Sequence, residues 1–427
     1  MAGGGGGEGK VACAAWIRRR EEKEKATRVF AAYGRAGSPP AVEVLGFDSK
    51  ECSLSEPLAR AELGEEPGDA PRGITVHPSG DELVCATAKG CRLFKLIFEE
   101  FTVRLISRDA PPLESVGPQK CLAFSTDGSK FAIGGEDGHL RIFHWPSMNV
   151  LLDEPKAHKS FRDMDISLDS EFLVSTSTDG SARIWKIDEG VPLVNLTRSA
   201  DEKIECCRFS RDGMKPFLFC TVAKGNKVVT VVWNISDWSR IGYKRLLGKP
   251  ISTLSVSMDG KYLALGSHDG DFCAVDVKKM DVSHWSKKVH LGSPVSSIEF
   301  CPTERLRRRQ ALAHYRYSVR RGWVASGRLT ALTTMAALHN VLSGMAVIST
   351  SHQWGAELTK LNVPADWKEW QVWLILLSLF LVSAILFYMF YERSDSFWNF
   401  PMGQHQPAKP WSVMKESPPV PEDQNPW

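Results

Sequence analysis

Ten cysteines, eleven histidines and a scatter of carboxylates could supply metal sites, nucleophiles or acid–base pairs, so their spacing comes first. The cysteines are Cys13, Cys52, Cys85, Cys91, Cys121, Cys206, Cys207, Cys220, Cys273 and Cys301. None forms a C-x-x-C pair, and most sit in apolar strand-like runs such as Leu83-Val84-Cys85-Ala86 and Phe217-Leu218-Phe219-Cys220. A free cysteine in such a run behaves as a small hydrophobe, so neither zinc nor a disulfide framework is expected. That usage fits a reducing compartment.

The histidines are dispersed, with His158, His268 and His290 near predicted turns, and are read as structural or surface groups. Asp163 and Asp165 are one residue apart on an alternating strand, as a carboxylate pair would be. An Asp beside the inner strand of a propeller blade supports a turn, and that reading is the one adopted. No G-x-x-x-x-G-K-[ST] loop and no G-x-S-x-G elbow occurs. The sequence therefore nominates no catalytic residue, no cofactor-binding residue and no metal ligand. A formal net charge of +3 over 427 residues sets no global field toward nucleic acid.

The elements that would position any site come from an internal repeat. An apolar alternating run, a turn with Asp-Gly, and a second apolar run recur. Cys121-Leu122-Ala123-Phe124-Ser125-Thr126-Asp127-Gly128 leads to Phe131-Ala132-Ile133-Gly134-Gly135, and Leu254-Ser255-Val256-Ser257-Met258-Asp259-Gly260 leads to Tyr262-Leu263-Ala264-Leu265-Gly266. Related copies start at Gly73, Asp163, Cys207 and Ser297, with the first turn returning about every 42 to 48 residues, which is the spacing of WD-type blades. A second turn repeats as Asp137-Gly138, Asp179-Gly180 and Asp269-Gly270, and Trp145, Trp185 or Trp233 ends a blade. Gly accepts positive φ without a Cβ clash, so Asp-Gly between two β-runs signals a hairpin. A single four-stranded blade cannot bury both faces, whereas a ring of blades can. The expected fold is all-β, a seven-bladed WD-type β-propeller over residues 11–363. Six repeats are visible, and the seventh blade is expected from Cys13 to Phe47, closing against the last strands.

Residues 372–391 carry no charge, Pro or Gly and match the thickness of a bilayer. Trp367, Trp370 and Trp373 stand at one end and Tyr388 and Tyr391 at the other, as interface aromatics do. A single C-terminal transmembrane α-helix is expected, preceded by a neck at 364–371 and followed by a disordered tail at 392–427. Residues 1–10 form a flexible Gly-rich lead. The short run 11–16 has Arg18-Arg19-Arg20 after it, the reverse of a secretory signal. The propeller is then expected to fold in the cytosol before the span emerges. Two sequons, Asn195-Leu196-Thr197 and Asn234-Ile235-Ser236, would go unused, and the tail would be lumenal.

The order of propeller, polar neck, single span and short tail joins more specific stretches. They are Asp153-Glu154-Pro155-Lys156-Ala157-His158-Lys159-Ser160, Trp367-Lys368-Glu369-Trp370-Gln371, Ser394-Asp395-Ser396-Phe397-Trp398 and Pro401-Met402-Gly403. Together these resemble the endoplasmic-reticulum exchange factors for the Sar-type GTPase that starts COPII coat assembly. They resemble more closely the plant relative of those factors, the phosphate transporter traffic facilitator. The resemblance implies an endoplasmic-reticulum membrane protein that helps phosphate transporters reach the plasma membrane. Its implied partners are those transporters as cargo, the Sar GTPase or COPII components, and lipid along 372–391. No cofactor or nucleic acid is implied.

In the exchange factors a Gly run, a Thr-Gly pair and an Asn follow the matching N-terminal strand, holding potassium and acting on the GTPase. Here the strand Arg28-Val29-Phe30-Ala31-Ala32 is followed by Tyr33-Gly34-Arg35-Ala36-Gly37-Ser38-Pro39-Pro40. The pattern is missing and two prolines remove backbone donors, so exchange activity is not expected. The alternative is a competent exchange factor; a general membrane-bound WD scaffold is a third reading.

One stretch does not fit. Residues 306–347 read as a basic insertion in the last blade, with eight Arg from Arg305 to Arg328 and no Asp or Glu before Glu357. A translated retained intron, a loop on anionic lipid and a nucleic-acid contact are the readings weighed, in that order. A short helix is expected at 329–345.

Overall fold

Each Asp-Gly turn closes a hairpin, and the hairpins assemble into seven antiparallel sheets in chain order. The computed structural model describes residues 10–20, 27–49, 51–99, 102–199, 201–213, 216–225, 227–302, 343–363 and 369–392. It divides into two units, Met1–Pro364 and Ala365–Trp427. All seven sheets lie in the first. Blades one to six are four-stranded and span residues 10–62, 73–108, 119–154, 161–195, 202–244 and 251–286; among the described residues blade seven, 297–363, has three strands.

The inner strands are Lys10–Arg20, Gly73–Val76, Gln119–Phe124, Phe161–Ile166, Glu202–Phe209, Ile251–Val256 and Ser297–Phe300. Each touches the next around a ring, and Lys10–Arg20 meets the inner and second strands of blade seven. Strands are buried on both faces because every blade has a neighbour on each side. Phe172–Ser177 and Tyr262–Ser267 are buried almost throughout, and such strands read as apolar runs rather than clean alternation. The core is accordingly divided into seven clusters, one per seam. Trp185, Trp233, Phe94, Phe131, Phe161, Phe209 and Phe272 anchor five of them, Phe219 and Trp16 the other two. Each contributes roughly 1.5–3 kcal/mol by burial.

Two boundaries differ from expectation. Blade one does not stop near Phe47: a fourth strand, Ser53–Glu62, completes its sheet. That strand is mostly exposed and carries a proline, so it lacks the apolar signature of the inner strands. The strand Ser343–Ser351 begins inside the stretch read as an insertion. Met345 and Val347 face the core between blades six and seven, while Ala346 and Ile348 face the core between seven and one. Residues 306–342, and with them most of the helix expected at 329–345, lie outside the described residues.

In the second unit a helix runs from Glu369 to Glu392. It starts within the expected neck. Its stretch Trp373–Tyr391 is long and apolar enough to cross a bilayer, and its side chains are exposed along it. At 1.5 Å per residue the 24-residue helix is about 36 Å long.

Gly138 shows why the second turn needs glycine. Its φ is +84°, and a Cβ there would lie 1.8 Å from the His158 carbonyl oxygen of the next blade. Gly292 also has positive φ but open space around it. Gly292→Ala should cost about 1–2 kcal/mol for the left-handed backbone alone. Gly138→Ala should add an overpacking cost of about 1–3 kcal/mol. Thermal unfolding of the full chain in detergent checks this; equal losses for the two variants would show that the turn does not bear on the next blade.

Candidate functional site

The turns joining second to third strands lie on the same face as the connections between blades, since strand direction alternates. There the repeat residues do structural work. The Asp137 carboxylate accepts the His139 N–H (3.1 Å) and Asp179 accepts that of Ser181 (2.8 Å). Asp269 instead pairs with Lys249 at 3.1 Å. Gly180 and Gly270 both have positive φ, and a Cβ on Gly270 would meet the His290 carbonyl.

In blade four the turn joins a buried relay. Trp185 Nε1–H donates to Ser175 Oγ (2.8 Å), and Ser175 Oγ lies 2.7 Å from His158 Nε2. Burial pushes the His158 pKa down to about 4, Arg183 adding to the shift and Asp179 opposing it. A neutral ring with its proton on Nδ1 satisfies this chain. His290 repeats part of it, 2.9 Å from Ser349 Oγ, with no partner on Nδ1 among the described residues. No Asp occupies the corresponding turn of blade seven, which reads His352-Gln353-Trp354. His268 is half-buried and donates its backbone N–H to the Pro250 carbonyl. All three histidines serve the scaffold.

Inner strands of six blades line a cavity of about 400 Å³. Asp163 and Asp165 point to it, and the turn-supporting role expected for them is wrong. Both lie within the inner strand Phe161–Ile166 and clamp the next blade. Asp163 Oδ2 accepts the Cys207 N–H (3.1 Å) and pairs with Arg208 (2.5 Å). Asp165 accepts the Phe209 N–H (2.8 Å) and pairs with Arg211 (2.7 Å). These bonds satisfy inner-strand N–H groups that no neighbouring strand reaches. Burial works against the Arg208 charge, but Asp163 and then Asp165 outweigh it and hold it protonated.

The same device closes the ring. Glu299 of blade seven accepts the Trp16 N–H of blade one through its carboxylate (3.1 Å), and its own carbonyl accepts Trp16 Nε1–H (3.1 Å). Unlike Asp163 it has no cation paired with it among the described residues. Burial lifts its pKa to about 7, with the Trp16 bond and the more distant Arg208 pulling down. Sequence gave no sign of this contact, whose partners are 283 residues apart.

In blade one, strands Thr27–Ala36 and Ala41–Asp48 pair from Phe30 opposite Gly46 to Arg35 opposite Ala41. Only residues 37–40 connect them. Glu43, almost fully buried, is held between Arg35 and Arg60, the latter at 3.1 Å. Gly34 serves close packing: a Cβ there would lie 2.6 Å from Cys13 Sγ and 2.8 Å from Pro71. The hairpin is thus short, proline-bearing and tied down at its base.

All ten cysteines are free thiols and nine are buried. Burial pushes the Cys13 thiol up to about 12, far from a reactive thiolate. Among the described residues no group of three or more His, Cys, Asp or Glu is placed to hold a metal. Of the aromatics expected at the membrane interface, Trp373, Tyr388 and Tyr391 are exposed on the C-terminal helix and Trp370 lies in its first turn. Trp367 lies outside the described residues.

The model of the WD domain, G-beta repeat, matches residues 115–144 and 149–186. Those are the third and fourth blades, where the Asp-Gly turns and the His158–Ser175–Trp185 relay are most complete. SEC12-like protein 1 of Arabidopsis thaliana is 45% identical over 426 residues, covering 98% of this chain and 96% of that protein. SEC12-like protein 2 of the same plant is 34% identical over 282 residues, 64% of this chain and 70% of that protein. The guanine nucleotide-exchange factor SEC12 of Mus musculus is 25% identical over 273 residues, 60% of each chain.

Glu299 gives a pH test with a defined sign. Its proton is held more tightly in the folded chain, about 7 against 4.5. The stability this supplies is complete below pH 4.5 and is lost as pH rises through 7. Unfolding stability should therefore fall between pH 5 and 7.5 by up to about 3 kcal/mol. Glu299→Gln, which keeps an acceptor for Trp16, should flatten that slope. Parallel pH profiles for the two proteins would remove Glu299 as its source.

Proposed function

Because the chain belongs to the SEC12-like family of WD-repeat proteins, we propose that it serves the early secretory pathway from the endoplasmic-reticulum membrane, as a factor that helps phosphate transporters leave for the cell surface. In this reading the propeller faces the cytosol, the helix Glu369–Glu392 anchors it, and Trp370, Trp373, Tyr388 and Tyr391 sit at the two interfaces. Lipid contacts the chain along that helix, and cargo contacts the propeller.

The observation that carries the proposal is the hairpin of blade one. A loop that inserts into a GTPase site needs exposed backbone donors and freedom to reach. Residues 37–40 offer two prolines, which donate nothing, on a turn anchored by the Arg35–Glu43–Arg60 ion pairs. A buried carboxylate between two guanidiniums resists displacement, because freeing either partner leaves charge uncompensated. That geometry supports loss of exchange activity with retention of the membrane-bound scaffold. The extent of the match to SEC12-like protein 1, nearly end to end, supports a shared role for these two chains.

A second reading, exchange on a Sar-type GTPase, is favoured by the similarity to the mouse exchange factor. One assay separates the two. Full chain in detergent micelles should leave nucleotide release from the Sar GTPase within about twofold of its spontaneous rate; acceleration of tenfold or more would establish exchange and remove the present reading.

Two cellular outcomes follow. In a line lacking the protein, phosphate transporters should be retained in the endoplasmic reticulum while unrelated plasma-membrane proteins arrive normally; normal transporter delivery would refute the cargo assignment. Protease added outside sealed microsomes should digest residues 10–363 and leave Asn195 and Asn234 without glycan. Protection of the propeller, or a glycan on either Asn, would invert the topology.

A further inference from the structure

Four inner strands carry a bulge at one matching place. In each, the pairing with the second strand skips a single residue: Lys120 in blade three, Arg162 in four, Glu205 in five and Ser252 in six. All four stand at the same distance before the serine of their first turn, Ser125, Ser167, Ser210 or Ser257. A bulged residue leaves the ladder and its side chain is re-aimed. Lys120, Arg162 and Ser252 line the channel cavity of about 400 Å³. Glu205 pairs with Arg162 (3.3 Å). Lys120 Nζ donates to Ser160 Oγ (3.3 Å) and lies 3.8 Å from Glu136.

A third cation reaches the same place from further down the channel. Arg208 follows Glu205 on its strand, but its Nη1 bonds Asp163, the neighbour of Arg162, so its guanidinium stands just under the bulged row. Burial raises the Cys121 thiol beside Lys120, Asp163 adds to that and Arg208 opposes it, so the Arg208 charge is felt as far as blade three. The carboxylates are occupied. Asp163 and Asp165 each hold a backbone N–H and a guanidinium, and Glu299 holds the Trp16 N–H. Donors are left over. Among the described residues Nε and Nη2 of Arg208, and Nε and Nη1 of Arg162, bond no protein atom.

We propose that the channel cavity binds a small tetrahedral oxyanion, of the phosphate or sulfate class, between Lys120, Arg162 and Arg208. Spare donors beside occupied carboxylates call for a ligand that accepts, and bonds from charged donors to an anion are the strong ones. The three cations come from three successive blades, so they surround an ion that presents oxygens on several sides. A planar carboxylate would be satisfied by one guanidinium fork. The cavity is within the range of small-molecule sites, roughly 300–1,000 Å³, so a free ion and a small phosphomonoester share this chemistry. The site rests on neither the cargo proposal nor the exchange question.

The test is equilibrium dialysis of the full chain in detergent micelles against radiolabelled inorganic phosphate, with ionic strength held constant by chloride. Binding should saturate at one ion per chain with a Kd of about 1 mM or tighter. Sulfate and glycerol 3-phosphate should displace the label, and acetate should not; the tighter of phosphate and glycerol 3-phosphate identifies the source of the oxyanion. Lys120→Met should weaken binding about tenfold, the loss of one charge-assisted bond. Lys120→Arg should restore it, and Lys287→Met, at an exposed lysine outside the cavity, should change nothing. Three results overturn the proposal: no saturable binding below about 10 mM, displacement by acetate as effective as by sulfate, or equal losses for Lys120→Met and Lys287→Met. The contest between acetate and sulfate remains decisive should Lys120→Met fail to fold.

Discussion

A ring of sheets is stable only if its last member meets its first, and here that meeting rests on side chains. Among the described residues no strand is shared between blades seven and one. Lys10–Arg20 is the inner strand of its own sheet, and Ser297–Phe300 of the other. The seam is held by Trp16, Ala14, Tyr33, Leu45, Ala346 and Ile348 in one apolar cluster and by the pairing of Trp16 with Glu299. Apolar packing supplies most of the energy but does not fix register, since it is non-directional. The two Trp16 hydrogen bonds do fix it. Every other seam depends on this one, because an open ring would expose the apolar faces of blades one and seven.

The charged pairs of the inner strands solve a related problem. Inner strands of neighbouring blades lie too far apart to share a ladder, so their inward N–H groups need other acceptors. Carboxylates one blade away provide them: Asp163 for Cys207, Asp165 for Phe209, Glu299 for Trp16. Where a guanidinium stands by, as Arg208 does beside Asp163, it opposes the burial that raises the carboxyl. Glu299 lacks one, and the burial of its carboxyl beside the channel is tolerated because the ring closes there.

Architecture was legible in the sequence because its signals are local. Asp127-Gly128 and Asp259-Gly260 close hairpins within a few residues, and the apolar run of residues 372–391 needs no partner to be read. The fourth strands were harder. Ser53–Glu62 and Arg240–Lys244 are exposed along most of their length and carry little apolar periodicity. The inter-blade clamps left no trace at all, because Asp163 and Arg208 stand 45 residues apart and no short window contains both. Reading Asp163 as a turn residue followed from looking only along the chain.

Departures from the repeat occur at the seam and away from it: the second turns of blades two and five, Thr87–Gly90 and Gly225-Asn226, carry no Asp. Blade seven has lost the turn Asp that would face His290, has no fourth strand among the described residues, and holds its neighbour by a carboxyl without a counter-ion. Blade one, across the seam, carries the four-residue connection at 37–40. In a ring, a blade inside the sequence is constrained on both sides by covalent connection as well as packing, whereas the first and last meet through packing and the Trp16–Glu299 hydrogen bonds, with no covalent connection between them. The two blades at the seam therefore rely on Trp16, Glu299 and the apolar cluster around them for the closure that the chain supplies elsewhere.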